Sequence, residues 1–166
     1  MTNLDIHDMA RAARTYGARA LYIITPLSDQ QSLVRTLVSH WTTGFGSVYN
    51  PKRCQALEMV CIQDTLEKAR EDIALREKDY PRTVVTSARE HPGLISISRF
   101  RELLDTGTPY LLVFGTAWGL SRECMEAADH ILEPIRGNTA YNHLSVRSAT
   151  SIILDRLLGR PSLERP

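Results

Sequence analysis

Leu111-Leu112-Val113-Phe114-Gly115-Thr116-Ala117-Trp118-Gly119-Leu120 is an apolar run that breaks into a glycine loop. A strand that ends in glycine leaves bare backbone where a ligand can come close. The arrangement recurs downstream. After the short apolar run 130–132 comes Glu133-Pro134-Ile135-Arg136-Gly137-Asn138-Thr139-Ala140-Tyr141-Asn142-His143-Leu144-Ser145-Val146, which opens a long C-terminal helix. Upstream, helix and strand patterns alternate. Residues 4–16 read as a helix, with Ile6, Met9, Ala10 and Ala13 on one face and Gly17 as its stop. Residues 20–25 read as a buried strand ended by Pro26, and 29–41 as a helix ending near Gly44. The stretch 45–51 reads as a Gly/Asn/Pro loop. A turn or short helix, a strand near 59–62, a helix capped by Asp64 or Thr65 and reaching about Lys78, and a strand at 83–86 follow. Residues 94–97 stay ambiguous, and 99–104 form a short helix. Then come the strong strand 110–114, a helix at 123–128, a strand at 130–132 and the last helix, 145–158, with Ser145 as N-cap. Such alternation predicts an α/β fold with a mostly parallel sheet flanked by helices.

Composition narrows the class. A chain of 166 residues with 43% apolar and 23% charged residues suits one globular domain, here 1–160, with 161–166 as a loose tail. The net charge of +1 gives no field that announces nucleic acid or membrane. Of the twenty basic residues three are Lys (Lys52, Lys68, Lys78), leaving seventeen Arg. That bias suits bidentate phosphate contacts, and genome base composition produces it equally well. Cys54, Cys61 and Cys124 form no CxxC pair, which speaks for a reducing, cytoplasmic setting. No apolar stretch approaches the roughly 18 residues of a membrane span. The last helix carries Val146, Ala149, Ile153 and Leu157 in one stripe, widened by Ile152, Leu154 and Leu158. So broad an apolar face is buried within its own domain or against a second subunit.

Three segments resemble motifs of the SPOUT RNA methyltransferases, knotted α/β enzymes that use S-adenosylmethionine. In their SpoU branch the first motif reads Asn-x-x-Asn-x-Gly-Ala-x-x-Arg. Here Arg11 falls on its arginine with Gly17 six residues beyond, Asp5 on its second Asn and His7 on its Gly. The second motif, apolar-Gly-x-Glu-x-x-Gly-Leu, is matched by Phe114 to Leu120, one residue shorter and without the Glu. The third, Ile-Pro-Met-x-Gly followed by Ser-Leu-Asn-Val-Ser-Val, is matched by Glu133-Pro134-Ile135-Arg136-Gly137 and Tyr141-Asn142-His143-Leu144-Ser145-Val146. His143 stands for the family Asn, with Asn142 one step earlier. The whole is most similar to a smaller bacterial SPOUT group, found as single-domain proteins and as an extension of the tRNA (guanine-N1) methyltransferase TrmD.

The resemblance implies a C-terminal trefoil knot, a homodimer with the active site at the subunit interface, and a tRNA or rRNA substrate. It also implies an apolar strand before the first helix. This chain starts at Met1-Thr2-Asn3, so either the start is misplaced or the sheet lacks a strand beside the site.

The implied cofactor contacts are Thr86, Gly115, Thr116, Gly119, Leu120, Ile135, Gly137, Tyr141, Leu144 and Ser145. The glycines would offer backbone groups to adenine and ribose, with Ile135 and Leu144 as apolar walls. The plainer reading is that these glycines only end strands. His7, Arg11 and Arg14 lie at i, i+4 and i+7 on the first helix, a candidate RNA phosphate clamp or a solvated face balanced by Asp5 and Asp8. The implied catalytic residues are Arg11, to stabilise charge on the nucleophile, and His143 with Asn142, where the imidazole would take a proton. A structural histidine bonded to a loop carbonyl is the alternative. His7-Asp8 also resembles the dyad of metal phosphohydrolases, but further ligands at a suitable spacing are missing and no metal is expected. The rival functions are a SAM- or RNA-binding module without catalysis and a doubly wound nucleotide-binding protein, the latter without a G-x-G-x-x-G or P-loop signature.

Overall fold

The computed structural model describes residues 2–116 and 118–160. The expected tail, 161–166, and Ala117 of the glycine loop lie outside the described residues. Helix α1 (Asn3–Thr15) begins with a reciprocal cap. The Thr2 hydroxyl accepts from Asp5 N–H at 3.3 Å, and Asp5 Oδ2 accepts from Thr2 N–H at 2.7 Å. Gly17, at φ +77°, turns the chain into β1 (Leu21–Ile24). Then follow α2 (Ser28–Thr42), α3 (Phe45–Tyr49), α4 (Pro51–Leu57), β2 (Val60–Gln63) and α5 (Leu66–Glu77), capped by Thr65. The second half is β3 (Arg82–Thr86), β4 (Leu94–Ile95), α6 (Ile97–Leu104), β5 (Tyr110–Val113), α7 (Arg122–Glu126), β6 (His130–Leu132) and α8 (Val146–Leu158). The ambiguous stretch 94–97 thus splits into a two-residue strand and the start of a helix.

Every strand pairing is parallel, as the alternation predicts. The pairings form two sheets, β1-β2 and β4-β6-β3-β5, with β4 and β5 as the edges of the wider one. The predicted loop 45–51 is a correction: most of it is helical. Gly46 lies against the indole of Trp41, where a Cβ would approach Cε3 to 2.6 Å. Asn50 caps α4 and Pro51 supplies its first turn. Glycine and proline here serve close packing and helix initiation, two uses that a loop signal hides.

Two cores lie under the two sheets. Ile6, Ala10, Ile23, Val34 and Leu57 join α1, α2 and α4 to β1. Val84, Phe100, Leu132, Ile153 and Leu157 join α6 and α8 to the four-stranded sheet. Ala13, Met59 and Leu154 link them. The wide apolar face of α8 is therefore spent mostly inside the subunit: Ile153 and Leu157 face one core and Leu154 the link, while Ile152 is half-buried and Leu158 exposed.

Candidate active site

Because β6, β3 and β5 are parallel neighbours, the loops that follow them leave the sheet on one side. This is where open α/β sheets bind ligands. Thr86 ends β3 and spends its hydroxyl on the carbonyl of Val113 in β5, at 3.0 Å. Asn142 Nδ2–H donates to the carbonyl of Ala88 at 2.8 Å, and Arg136 pairs with Glu90. The loop after β6 is thus tied twice to the loop after β3.

The loop after β5 is a tight turn. Gly119 N–H donates to the Thr116 carbonyl at 2.9 Å, and Gly119 sits at φ +84°. A Cβ at Gly115 would lie 2.5 Å from the Gly119 carbonyl carbon, so only glycine lets the two arms of the turn meet. Gly137 differs, since a Cβ there meets no protein atom within 4 Å. Its backbone faces open space, with exposed Tyr141 and Leu144 in the same loop and Ile135 packed against the core of the wide sheet. Tyr141 and His143 meet edge to face at 5.5 Å. Gly115, Thr116, Gly119 and Leu120 line one end of a cavity of about 940 Å³ that continues between β1 and β5. Ser145 acts as the expected cap, its hydroxyl accepting from Ser148 N–H at 3.2 Å. That bond holds α8 in place and leaves the hydroxyl less free for a cofactor.

The predicted stripe on α1 divides. Arg11 and Arg14 are exposed, but the His7 ring turns inward, edge-on to Trp41 at 5.6 Å with Nδ1 buried and unbonded. Burial, with the Arg53 charge behind it, holds the His7 imidazole below its usual range despite Asp8. Arg11 lines a shallow groove with Tyr16, Ser145, Arg147, Ser148 and Ile152, so it stands beside the start of α8, where the cap Ser145 follows His143 by two residues in the chain. Sequence reasoning missed Arg147. Its Nε lies 3.2 Å from Asp5 Oδ1, an ion pair without hydrogen-bond alignment, and its Nη1 donates to Asp8 Oδ2 at 3.1 Å. Burial pushes the Asp5 carboxyl up, but bonds from Thr2 and the Arg147 charge bring it below its usual range. The signal was the pair Asp5 and Asp8 on the turn that carries Arg11, balanced by something other than that arginine. Among the described residues no three His, Cys, Asp or Glu side chains converge on a metal position, and no helix is long and apolar enough to cross a membrane.

The loops of the second and third motifs thus leave the same end of the wide sheet, while Arg11 stands apart on α1. A family profile described as SAM-dependent RNA methyltransferase matches residues 1–159. The chain belongs to this family. A tRNA (guanine-N(1)-)-methyltransferase of Nitratidesulfovibrio vulgaris is 48% identical over 159 residues, covering 96% of this chain and 37% of that protein. The chain therefore spans little more than a third of that relative. An uncharacterised protein of Aquifex aeolicus is 38% identical over 160 residues, 96% of this chain and 78% of its own. Among solved structures, a probable methyltransferase from Bordetella pertussis superposes with a TM-score of 0.65 at 21% identity, covering 92% of this chain and 86% of the other. The SpoU methyltransferase AviRb from Streptomyces viridochromogenes, in complex with AdoMet, gives 0.58 at 20% identity, over 93% and 54%. At such identities the likeness is one of fold: the family's α/β parallel architecture is that of the SpoU methyltransferases.

Proposed function

We propose that the chain methylates tRNA or rRNA with S-adenosylmethionine, as a cytoplasmic homodimer of single knotted domains. One observation carries the reading most: the loops after β6 and β3 are bonded to each other, beside the Thr86–Val113 bond between adjacent strand ends, and leave the Gly137 backbone open. Open backbone beside Tyr141 and Leu144 fits an adenosine, which needs apolar walls and amide partners. The insertion of β6 between β3 and β4, ahead of the long 133–145 loop, supports the knot. The half-buried Ile152 beside the Arg11 groove supports a dimer face there. The three free thiols support the cytoplasm.

The cofactor supplies an electrophilic methyl group on a sulfonium. The protein holds the RNA nucleophile in line, removes its proton and steadies its charge. His143, exposed beside Tyr141, would accept the proton, with Asn142 fixing the loop through Ala88. Arg11 would reach the nucleophile or a neighbouring phosphate across the dimer, oriented by the Arg147 ion pairs that position its helix. The test is transfer of labelled methyl from S-adenosylmethionine to bulk tRNA and rRNA, with mass spectrometry of the modified nucleosides. Cofactor binding without labelling of any RNA would replace this reading with that of a binding module.

A further inference from the structure

The surface over α2, α3 and α4 carries no residue of the candidate active site. Phe45, Val48 and Tyr49 stand at i, i+3 and i+4, so they share one face of α3. They are 79%, 82% and 75% exposed, and three such side chains together form a patch rather than scattered surface residues. The Phe45 and Tyr49 rings lie within 21° of parallel, with centroids 6.4 Å apart. The opposite side of the same helix is fixed, with Gly46 buried against the Trp41 indole and Asn50 capping α4. Both rings are thus displayed on a packed base. The charge around them has one sign. Between Asp29 and Glu58 the chain holds no Asp or Glu, whereas Arg35, Lys52 and Arg53 lie within that stretch. Among the described residues none of the three pairs with a carboxylate. Arg35 donates to the Gln31 side chain at 3.0 Å, and the Arg53 guanidinium lies over the Trp41 ring at 4.5 Å. On α5, by contrast, Lys68, Arg70 and Arg76 are each matched by a carboxylate three or four positions away.

We propose that the Phe45–Tyr49 face is a platform for unpaired RNA bases, with Lys52 and Arg53 taking the phosphates that join them. The platform rests on the reading of the chain as an RNA methyltransferase and adds a binding surface outside the catalytic loops. Exposed rings beside unmatched cations suit a partner with flat apolar rings and a negative backbone. Stacking needs a free base face, which a duplex hides, so the partner is a single-stranded loop or bulge. An average protein surface carries both signs and has nothing to match an acid-free face. Helix α1 links the platform to the groove beside α8. His7 turns toward Trp41, with the Arg53 charge close by, while Asp5 and Asp8 turn toward Arg147. At about 100° per residue the exposed Arg11 falls between His7 and Asp8 on the helix. A strand stacked on Phe45 and Tyr49 can therefore pass Arg53 and Arg11 on its way to the glycine loops.

The test is fluorescence anisotropy, whose readout is independent of methyl transfer. The probes are bulk tRNA and an oligoadenylate about twelve nucleotides long, single-stranded or paired with oligouridylate. Phe45→Ala and Tyr49→Ala should each weaken binding of the single strand by about tenfold, and of the duplex by less than about twofold. Tyr49→Phe should bind as the wild type does. Tyr49→Leu, which keeps apolar bulk without a ring, should bind as weakly as the alanine variant. Lys52→Ala should lower the salt slope of binding by about one. Because Phe45, Tyr49 and Lys52 are exposed, the melting temperature and the affinity for S-adenosylmethionine should not move in any of these variants. Undiminished single-strand affinity in the alanine variants, or full binding by Tyr49→Leu, overturns the platform and leaves the RNA reading standing. A wild type that binds none of the three RNAs overturns both. Loss of self-association by light scattering in the alanine variants, with RNA binding unchanged, assigns the face to a second copy of the chain and overturns the platform.

Discussion

The β1–β2 pair and the four-stranded sheet are both parallel and both helix-covered, yet they do different work. A two-stranded sheet is marginal on its own and relies on its helices, whereas the wider sheet encloses a core around Val84 and Phe100. All three glycine-bearing or tethered loops grow from the wide sheet. Arg11 grows from α1, over the narrow one. On the proposed reading the chemistry is divided accordingly: the wide sheet would hold the cofactor loops, and the narrow unit would bring the arginine. A disturbance of the narrow unit should therefore impair methyl transfer before it impairs cofactor binding.

The most severe way to break that division is Phe100→Ala. Phe100 is 1% exposed and meets Tyr110 edge to face at 5.1 Å. Its truncation should cost about 3–5 kcal/mol in urea unfolding and abolish cofactor binding. Leu57→Ala, in the narrow unit's core, should cost about 2–5 kcal/mol yet leave binding measurable in the protein that stays folded. If binding is lost with Leu57 as with Phe100, the two units are one. Next comes Arg11→Ala, which should slow transfer by about a hundredfold while calorimetry finds S-adenosylmethionine affinity nearly unchanged. His143→Ala should slow transfer similarly, without rescue by more cofactor. Wild-type turnover in either variant removes that residue from the mechanism.

Within the wide sheet the glycines can be separated. Gly115→Ala forces a Cβ against the Gly119 backbone and should destabilise by about 1–3 kcal/mol. Gly137→Ala should leave the melting temperature unchanged and weaken only the cofactor, because open space surrounds it. Equal affinity in a folded Gly137→Ala or Gly137→Val protein moves the pocket elsewhere. The smallest effect belongs to His7. Its folded pKa is depressed, so the unfolded chain binds the proton more tightly and stability falls as pH drops below about 6.5. His7→Phe should flatten the melting temperature between pH 7 and pH 5; an unchanged slope would put the titration elsewhere.

The sheet strands other than β4 were legible because each is a short apolar run closed by glycine, proline or a polar residue; β4, Leu94–Ile95, is too short to show a pattern. Ser145 was legible as a cap because its hydroxyl acts within four residues. The helix over 45–49 was not, since what makes Gly46 useful is the indole of Trp41. The inward turn of His7 was hidden for the same reason, its partner lying on another helix. Spacing on α1 put His7, Arg11 and Arg14 on one face, but it could not say which neighbour competes for each side chain. Arg147 was invisible as a positioning residue because its carboxylates lie at the other end of the chain. The division into two sheets was also beyond periodicity, which identifies strands but not their neighbours.

The ties between α1 and α8 have a consequence for how the chain is made. Ala13 shares a cluster with Leu154, Asp5 and Asp8 pair with Arg147, and the Tyr16 hydroxyl donates to Asp155 at 2.9 Å across 139 positions. At about 5–20 residues per second the ribosome delivers α8 on the order of ten seconds after α1. During that interval one side of the first helix has nothing to pack against. Nascent chains arrested before residue 146 should be cut by trypsin at Arg11 and Arg14, and chains released at full length should resist. Protection in the arrested chains would mean that α1 finds its place without α8.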